Sequence, residues 1–159
     1  MKTCADCHQK LDDSEFEIVH IKGNYSRTIC RSCRQQKINR KKSSSPERYI
    51  RHLHTQAKSA RKHSGKEWKI SPDDLLRRWE EQEGRCALSG VFMTWTKDGN
   101  GKKEMNISID RIHPHIGYIP SNVQLVCNRI NILKHNLTED ELYWWLSLIH
   151  ISEPTRLGM

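Results

Sequence analysis

The sequence predicts an α+β chain. It should begin with a small cysteine-held ribbon, continue through a basic helical linker, and end in a strand–loop–strand–helix core with flanking helices. Three observations carry this expectation. Cys4-x-x-Cys7 and Cys30-x-x-Cys33 open the chain. Lysines and arginines then crowd the stretch that follows the second pair. Within residues 108–135 the apolar period changes from two to helical spacing.

Each C-x-x-C turn sets two thiolates on one side of a knuckle. Two knuckles complete a tetrahedral zinc site from Cys4, Cys7, Cys30 and Cys33. A redox dithiol is the alternative for one such pair, but two pairs favour zinc. His8 and His20 could substitute, although four thiolates already fill the shell. Alternation around Phe16, Ile18, Val19 and Ile21, followed by Gly23-Asn24, predicts a hairpin between the pairs. About forty residues bury too little surface to fold unaided, so zinc would supply the folding free energy.

Arg31, Arg34, Lys37, Arg40, Lys41 and Lys42 follow directly. Ser45 as N-cap and Pro46 in the first turn then start a helix that should run to about His63, ahead of Gly65. Its apolar stripe is narrow: Tyr49, Ile50, Leu53, Ala57 and Ala60, with Arg51, Lys58, Arg61 and Lys62 on the other side. Such a helix should dock lightly on its neighbours or on a polyanion. His52, His54 and His63 read as surface residues rather than ligands.

Ser71-Pro72-Asp73-Asp74 starts a second helix, with acidic residues on the positive end of the dipole. Leu75, Leu76 and Trp79 form its inner face and Gly84 stops it. Cys86-Ala87-Leu88 reads as a short strand, and residues 93–103 as a loop or hairpin around Asp98-Gly99-Asn100-Gly101. Ile107 and Ile109 alternate with polar residues in a strand ending at Asp110 and Arg111. Pro114, Gly117, Tyr118, Pro120, Ser121 and Asn122 make a breaker-rich loop, and residues 123–127 a second strand. From Asn128 the spacing is helical, with Ile130, Leu133 and Leu137 apolar and Asn131 and His135 four apart. Thr138-x-x-Glu141 is a capping box opening a last helix with Leu142, Trp144 and Trp145.

The central stretch resembles the HNH (His-Me finger, ββα-metal) endonucleases, in the form common in phage genomes. The shared residues are Asp110, the Gly117-Tyr118 loop, Asn122-Val123, Cys127 and Asn131-x-x-Lys134. RCALSG, residues 85–90, is similar to the family's leading segment, and the resemblance spans residues 71–142. The cysteine ribbon likewise resembles those ahead of phage HNH domains. The expected division is a zinc ribbon over 1–42, a basic linker over 43–70, the nuclease domain over 71–145 and a non-native tail over 146–159. That tail resembles translated sequencing-adapter sequence, so it and His150 are set aside from function and the natural C-terminus would be missing.

The resemblance implies a metal-dependent, phage-encoded DNA endonuclease that hydrolyses phosphodiester bonds. Asp110, Asn131 and His135 would hold the catalytic metal, Mg²⁺ or Mn²⁺, with His135 widening the choice to Zn²⁺ or Ni²⁺. The family's general base follows the Asp directly, but here that position is Arg111, which cannot act as a base and could bind phosphate. His113, two residues on, projects to the same side of an extended strand and is the expected base, with His115 second. Pro114 could bend the chain away from that geometry, and a metal-bound water could act without a protein base. Asn122 should brace the loop. Some HNH proteins hold a structural zinc with two further C-x-x-C pairs; here the partner positions of Cys86 and Cys127 are Ser89 and Ile130, so both read as buried core cysteines.

At 159 residues there is room for one medium domain or two small ones, and 35% hydrophobic content allows only a modest core. The formal charge of +8 suits a polyanion, because each neutralised phosphate releases counterions. Beside a zinc module and a nuclease signature, Arg31, Arg34, Lys37, Arg40, Lys41, Lys42, Arg51, Lys58, Arg61, Lys62 and Lys134 are therefore expected on the phosphates of double-stranded DNA. A non-cleaving zinc-containing DNA-binding protein with a degenerate HNH core is the alternative; Arg111 favours it, while Asp110, Asn131 and Lys134 count against it. An RNA-directed protein ranks behind both, because the paired exposed aromatics of an RNA-reading sheet are missing. No apolar run approaches the ~20 residues of a membrane span. Cysteines without an export signal point to a reducing cytoplasm.

Overall fold

Two separate hydrophobic clusters divide the molecule. The structure, a computed structural model, describes residues 1–20, 23, 25–96 and 103–152, with side chains through residue 149. Ile21, Asn24, the Asp98–Gly101 turn and the end of the tail, residues 153–159, lie outside the described residues.

The smaller cluster belongs to the N-terminal module. Strands β1 (Lys2–Thr3) and β2 (Lys10–Leu11) pair antiparallel around the first C-x-x-C turn, and β3 (Ile18–Val19) pairs antiparallel with β4 (Tyr25–Ser26). Between them Asp12 caps a 3₁₀ turn, Asp13–Glu15, by accepting from Ser14 N at 3.0 Å. Lys2 Nζ donates to Arg27 O at 2.6 Å and Ala5 N donates to Thr28 O at 2.9 Å, which ties one hairpin to the other.

The second C-x-x-C pair is not held in a hairpin knuckle. It opens a helix, α1 (Arg31–Lys42), that sequence periodicity does not announce. No apolar stripe marks α1; its signals are at its ends. Cys30 Sγ caps it by accepting from Cys33 N at 3.5 Å, and Arg40, Lys41 and Lys42 sit at the negative end of its dipole.

The larger cluster joins α2 (Pro46–Ala60), α3 (Pro72–Glu81) and the hairpin of β5 (Ile107–Arg111) with β6 (Val123–Cys127). Ser45 Oγ accepts from Arg48 N at 3.2 Å, and Ser71 and Asp74 form a reciprocal capping box. α2 stops at Ala60 rather than near His63, and it is no lightly docked linker: Tyr49, Ile50, Leu53 and Ala57 are all in the main core. His54 is also buried instead of lying on the surface, with Nε2 3.0 Å from Ile70 O and 3.3 Å from Trp68 Nε1.

The expected strand at Cys86–Leu88 is instead a tight turn. Cys86 N donates to Val91 O and Gly90 N to Cys86 O, both at 2.9 Å, and Gly90 takes the left-handed conformation that closes it (φ +69°). Ala87 N hangs this turn on Leu125 O at 3.0 Å.

β5 and β6 run antiparallel with Asp110 opposite Gln124 and Arg111 opposite Val123. The chain passes straight from Cys127 into α4 (Asn128–Lys134), then through Thr138 into α5 (Glu139–Ser152). The phase of α4 differs from the apolar reading. Leu133 is 54% exposed and Lys134 is 0% exposed, so the inward line runs through Ile130, Asn131 and Lys134. Thr138 and Glu141 cap α5 reciprocally, with Thr138 N donating to Glu141 Oε2 at 2.7 Å. Among the described residues no helix is long and apolar enough to cross a membrane.

Candidate metal centre and candidate active site

The four N-terminal cysteines converge. Their sulfurs all lie within 4.8 Å of one another; Cys4, Cys30 and Cys33 are buried and Cys7 is exposed. A tetrahedral ion with ~2.3 Å bonds to sulfur spaces its ligands ~3.8 Å apart, so the set fits one zinc ion with little movement. Backbone donors are already in place: Cys30 N reaches Cys4 Sγ at 3.3 Å and Asp6 N at 3.4 Å. The N–H groups of Cys30 and then Cys7 draw the Cys4 thiol down to about 6, while hydrogen bonding to Cys30 and then burial push the Cys33 thiol up. Those donors favour a thiolate at Cys4 over one at Cys33. His8 and His20 stay outside the cluster.

The second site lies where β5 meets α4. A cleft of about 270 Å³ is lined by Arg61, Ile109, Asp110, Arg111, Tyr118, Asn131, Ile132 and His135. Asp110, at 4% exposure, is held from two directions. Gln124 Nε2 donates to its Oδ2 at 3.0 Å, and Lys134 Nζ stands 3.3 Å from Oδ1 and 3.1 Å from Oδ2. Lys134 also donates to Arg111 O at 2.6 Å. The same Gln124 amide donates to Glu139 Oε1 at 2.7 Å, which fixes its orientation.

Asn131 donates its Nδ2 to Ser108 Oγ at 2.7 Å and to Ile109 O at 3.3 Å. That fixes the amide and leaves Oδ1 without a hydrogen-bond partner among the described residues. His135 is exposed at the mouth of the cleft, just past the end of α4, with φ +48°. It is therefore brought to the cleft by a turn, and not by the helical face it was expected to share with Asn131. One carboxylate, one free amide oxygen and one imidazole make a sparse, largely hard donor set. Such a set suits a divalent ion that keeps several waters.

The loop after β5 separates the remaining candidates. Ile112 N still donates to Asn122 O at 3.0 Å in the register of the strand pair, but Ile116 N donates to His113 O at 3.1 Å and turns the chain, so the extended run does not continue through His113. The every-other-residue rule does not carry over to His113. Pro114 is buried, His113 and His115 are exposed with ring centroids 5.9 Å apart, and neither lines the cleft. Asn122 is buried and ties the loop together: its Oδ1 accepts from His113 N at 2.9 Å, and its Nδ2 donates to His113 O at 3.1 Å and Gly117 O at 3.0 Å. Arg111 donates to Pro114 O, and its guanidinium lies 5.3 Å from the Tyr118 ring centre.

The basic residues fall into groups. Lys134 corrects an expectation: with 0% exposure and Asp110 as partner it cannot reach a nucleic-acid phosphate. Arg34 pairs with Glu17, Lys37 with Asp6 at 2.7 Å, and Arg51 with Glu47 at 3.1 Å and Asp73 at 3.0 Å. Arg31, Arg40, Lys41, Lys58 and Lys62 are exposed and Lys42 is half-buried; none forms an ion pair among the described residues. Arg61 turns inward to the Tyr118 hydroxyl.

Cys86 and Cys127 are buried, and Cys127 N donates to Cys86 Sγ at 3.3 Å. Burial favours the neutral Cys86 thiol, but the Ser89 hydroxyl and the N–H groups of Cys127, Ser89 and Leu88 outweigh it and lower its pKa. Burial pushes Cys127 up to about 11.

Sequence reasoning passed over Gln124, Ser108 and Tyr118 as members of the site. Gln124 is findable once Asp110 is assigned, because it stands directly across the strand pair.

Neither a protein-family model nor a curated protein matches the sequence. Among solved structures the chain is similar to the rare-cutting HNH restriction endonuclease PacI, described for its perturbation of DNA. The identity is 17%, covering 96% of this chain and 95% of that one, with a TM-score of 0.43.

Proposed function

We propose that the chain is a metal-dependent HNH-type endonuclease that hydrolyses phosphodiester bonds of double-stranded DNA, phage-encoded and acting in the bacterial cytoplasm. The observation that carries this reading is the cleft. It brings a buried carboxylate, Asp110, a fixed amide, Asn131, and His135 together beside Arg61 and Arg111. Asp110, Asn131 Oδ1 and His135 would hold one divalent ion, Mg²⁺ or Mn²⁺ first and Zn²⁺ or Ni²⁺ as further candidates; when bound, such an ion stabilises charge on the phosphorane-like transition state and the leaving oxygen.

The residues themselves divide the remaining work. Lys134, 3.1 Å from the buried Asp110 carboxylate, supplies the positive partner that its burial requires. Gln124 and Glu139 keep the carboxylate aimed. Arg111 binds the phosphate that enters the cleft, since a guanidinium presents several donors in a fixed plane. His113, on the loop that leaves the cleft at Arg111 and with its backbone N–H and C=O both held by Asn122, is the proposed base for the attacking water, and His115 is the reserve. The zinc module and the exposed cations Arg31, Arg40, Lys41, Lys42, Lys58 and Lys62 hold the flanking duplex through its phosphates.

A second reading rests on a specific observation. Asp110 is already engaged by Gln124 and Lys134, and His113 and His115 stand outside the cleft. A non-cleaving, zinc-containing DNA-binding protein is consistent with that. Plasmid cleavage with and without Mg²⁺ or Mn²⁺ separates the two. The nuclease reading expects divalent-dependent cleavage that His113→Ala lowers by ~10²–10⁴-fold, the usual size of general-base catalysis. Binding without cleavage under every divalent ion selects the second reading.

A further inference from the structure

The segment between α2 and α3 runs beside the cleft, against the Gly117-Tyr118 loop, and brings a lysine that no pattern singled out. Tyr118 N donates to Glu67 O and Lys69 N donates to Tyr118 O, both at 2.8 Å, so residues 67–69 run alongside the Gly117-Tyr118 loop. Gly117 permits this approach, because a Cβ there would meet Glu67 O at 2.7 Å. Trp68 lies on Tyr118 with ring centroids 4.7 Å apart.

Around that stack three cations gather. The Arg61 guanidinium lies 4.8 Å and that of Arg111 5.3 Å from the Tyr118 ring centre. Lys66 Nζ donates to Pro114 O at 3.3 Å, and Arg111 donates to the same carbonyl. None of the three has an ion pair among the described residues, whereas the carboxylate lining the cleft, Asp110, is already matched by Lys134. Desolvation first, then the charges of Arg111 and Arg61, hold the Lys66 ammonium below the usual lysine range. Two guanidinium groups at one ring and an ammonium sharing the Pro114 carbonyl with Arg111 repel one another, and a bound anion would remove that repulsion.

We propose that Arg61, Lys66 and Arg111, organised by Tyr118 and Trp68, form one anion subsite that takes the backbone phosphate entering beside Asp110. The identity of the ligand as a nucleic-acid phosphate rests on the nuclease reading above; the cation cluster does not. Arg61 is then a positioning contact belonging to the cleft, unlike the outward cations of α2, and Lys66 joins it.

The test measures binding of the zinc-loaded full chain, without Mg²⁺ or Mn²⁺, to a short DNA duplex over a range of KCl, and separately to inorganic pyrophosphate. Each phosphate contact contributes ~0.9 to the slope of log affinity against log salt. Lys66→Gln should flatten that slope by ~1 and weaken duplex binding ~3–10-fold at low salt, and Lys66→Arg should restore both. Lys66 is exposed, so its replacement leaves the fold intact. Lys69→Gln, whose ammonium is paired with Glu67 at 2.6 Å, should change little. An unchanged slope in Lys66→Gln overturns the proposal. Loss of pyrophosphate binding alone, with duplex binding unmoved, assigns the cluster to small free anions and also overturns it. If the unmutated chain never cleaves but Lys66→Gln still flattens the slope, the subsite stands and the nuclease reading falls.

Discussion

The buried cluster of the N-terminal module is Phe16 with Cys4, Cys30 and Cys33, whereas the main cluster buries Tyr49, Ile50, Leu75, Ile107, Leu125 and Val126 almost completely. The module's strands are two residues long; the central pair has five residues each. The first region has almost no apolar surface to bury and depends on what its thiols bind. The second rests on ordinary packing and uses four of its buried polar groups, Asp110, Lys134, Gln124 and Asn122, to build a site. A region held by ligands and a region held by packing should respond to different insults.

The largest expected effect is on the first region. Cys30→Ser removes a metal ligand while its hydroxyl can still cap α1, so the variant isolates the loss of the metal. It should unfold the module and leave the thermal transition of the main core in place, because structural zinc supplies folding free energy outright. Metal analysis should give one zinc per unmutated chain and well under half in the variant. A single transition that shifts as a whole would mean that the two regions fold as one.

Next comes the buried pair of the second region. Lys134→Met leaves Asp110 buried without a counter-charge and should cost roughly 3–5 kcal/mol, the usual result of breaking one side of such a pair. Adding Asp110→Asn to that variant should recover much of the loss. Denaturant unfolding of both variants measures it, and their zinc content should be unchanged. Equal destabilisation by the single and double variants would show that packing of the lysine chain, not its charge, matters there.

The smallest effect is local. Ser71→Ala removes one half of the capping box on α3 and should cost about 1 kcal/mol. Backbone and then side-chain hydrogen bonds from Ser71 hold the Asp74 carboxyl below the usual range. A depressed carboxylate contributes stability that is present above its unfolded pKa of ~3.9 and is lost as pH falls through its folded value. The penalty of Ser71→Ala should therefore be full at neutral pH and shrink in acid below about pH 4; a penalty constant with pH would contradict the linkage.

The same contrast explains what could be read from the chain. Ser45, Ser71 and Thr138 gave their helices away, because a cap is a contact between residues three apart. The four cysteines did so too, because coordination ties spacing to geometry. α1 stayed hidden: its cap is a cysteine and its surface is polar nearly all round, so neither usual signal applies. α4 was read in the wrong phase because its most buried residue is a lysine and Leu133 points outward. The pattern of apolar residues cannot report a core that accepts an ammonium group paired across two elements. The Cys86 turn looked like a strand because its decisive residues, Ser89 and Gly90, act after the apolar run. His113 illustrates a limit of periodicity: the turn from His113 to Ile116, held by the Asn122 side chain one loop away in sequence, ends the strand that would have carried it inward.

One measurement bears on the central claim most directly: cleavage of supercoiled plasmid with Mg²⁺ or Mn²⁺ by the unmutated chain and by Asp110→Ala, with duplex affinity measured in parallel without divalent ion. Asp110 is the anionic member of the cleft, so its loss should abolish cleavage, by at least ~10²-fold, while affinity stays within a few-fold because the phosphate contacts are made by cations, Arg61 and Arg111 in the cleft and the exposed ones outside it. Cleavage by Asp110→Ala at the unmutated rate would contradict the account.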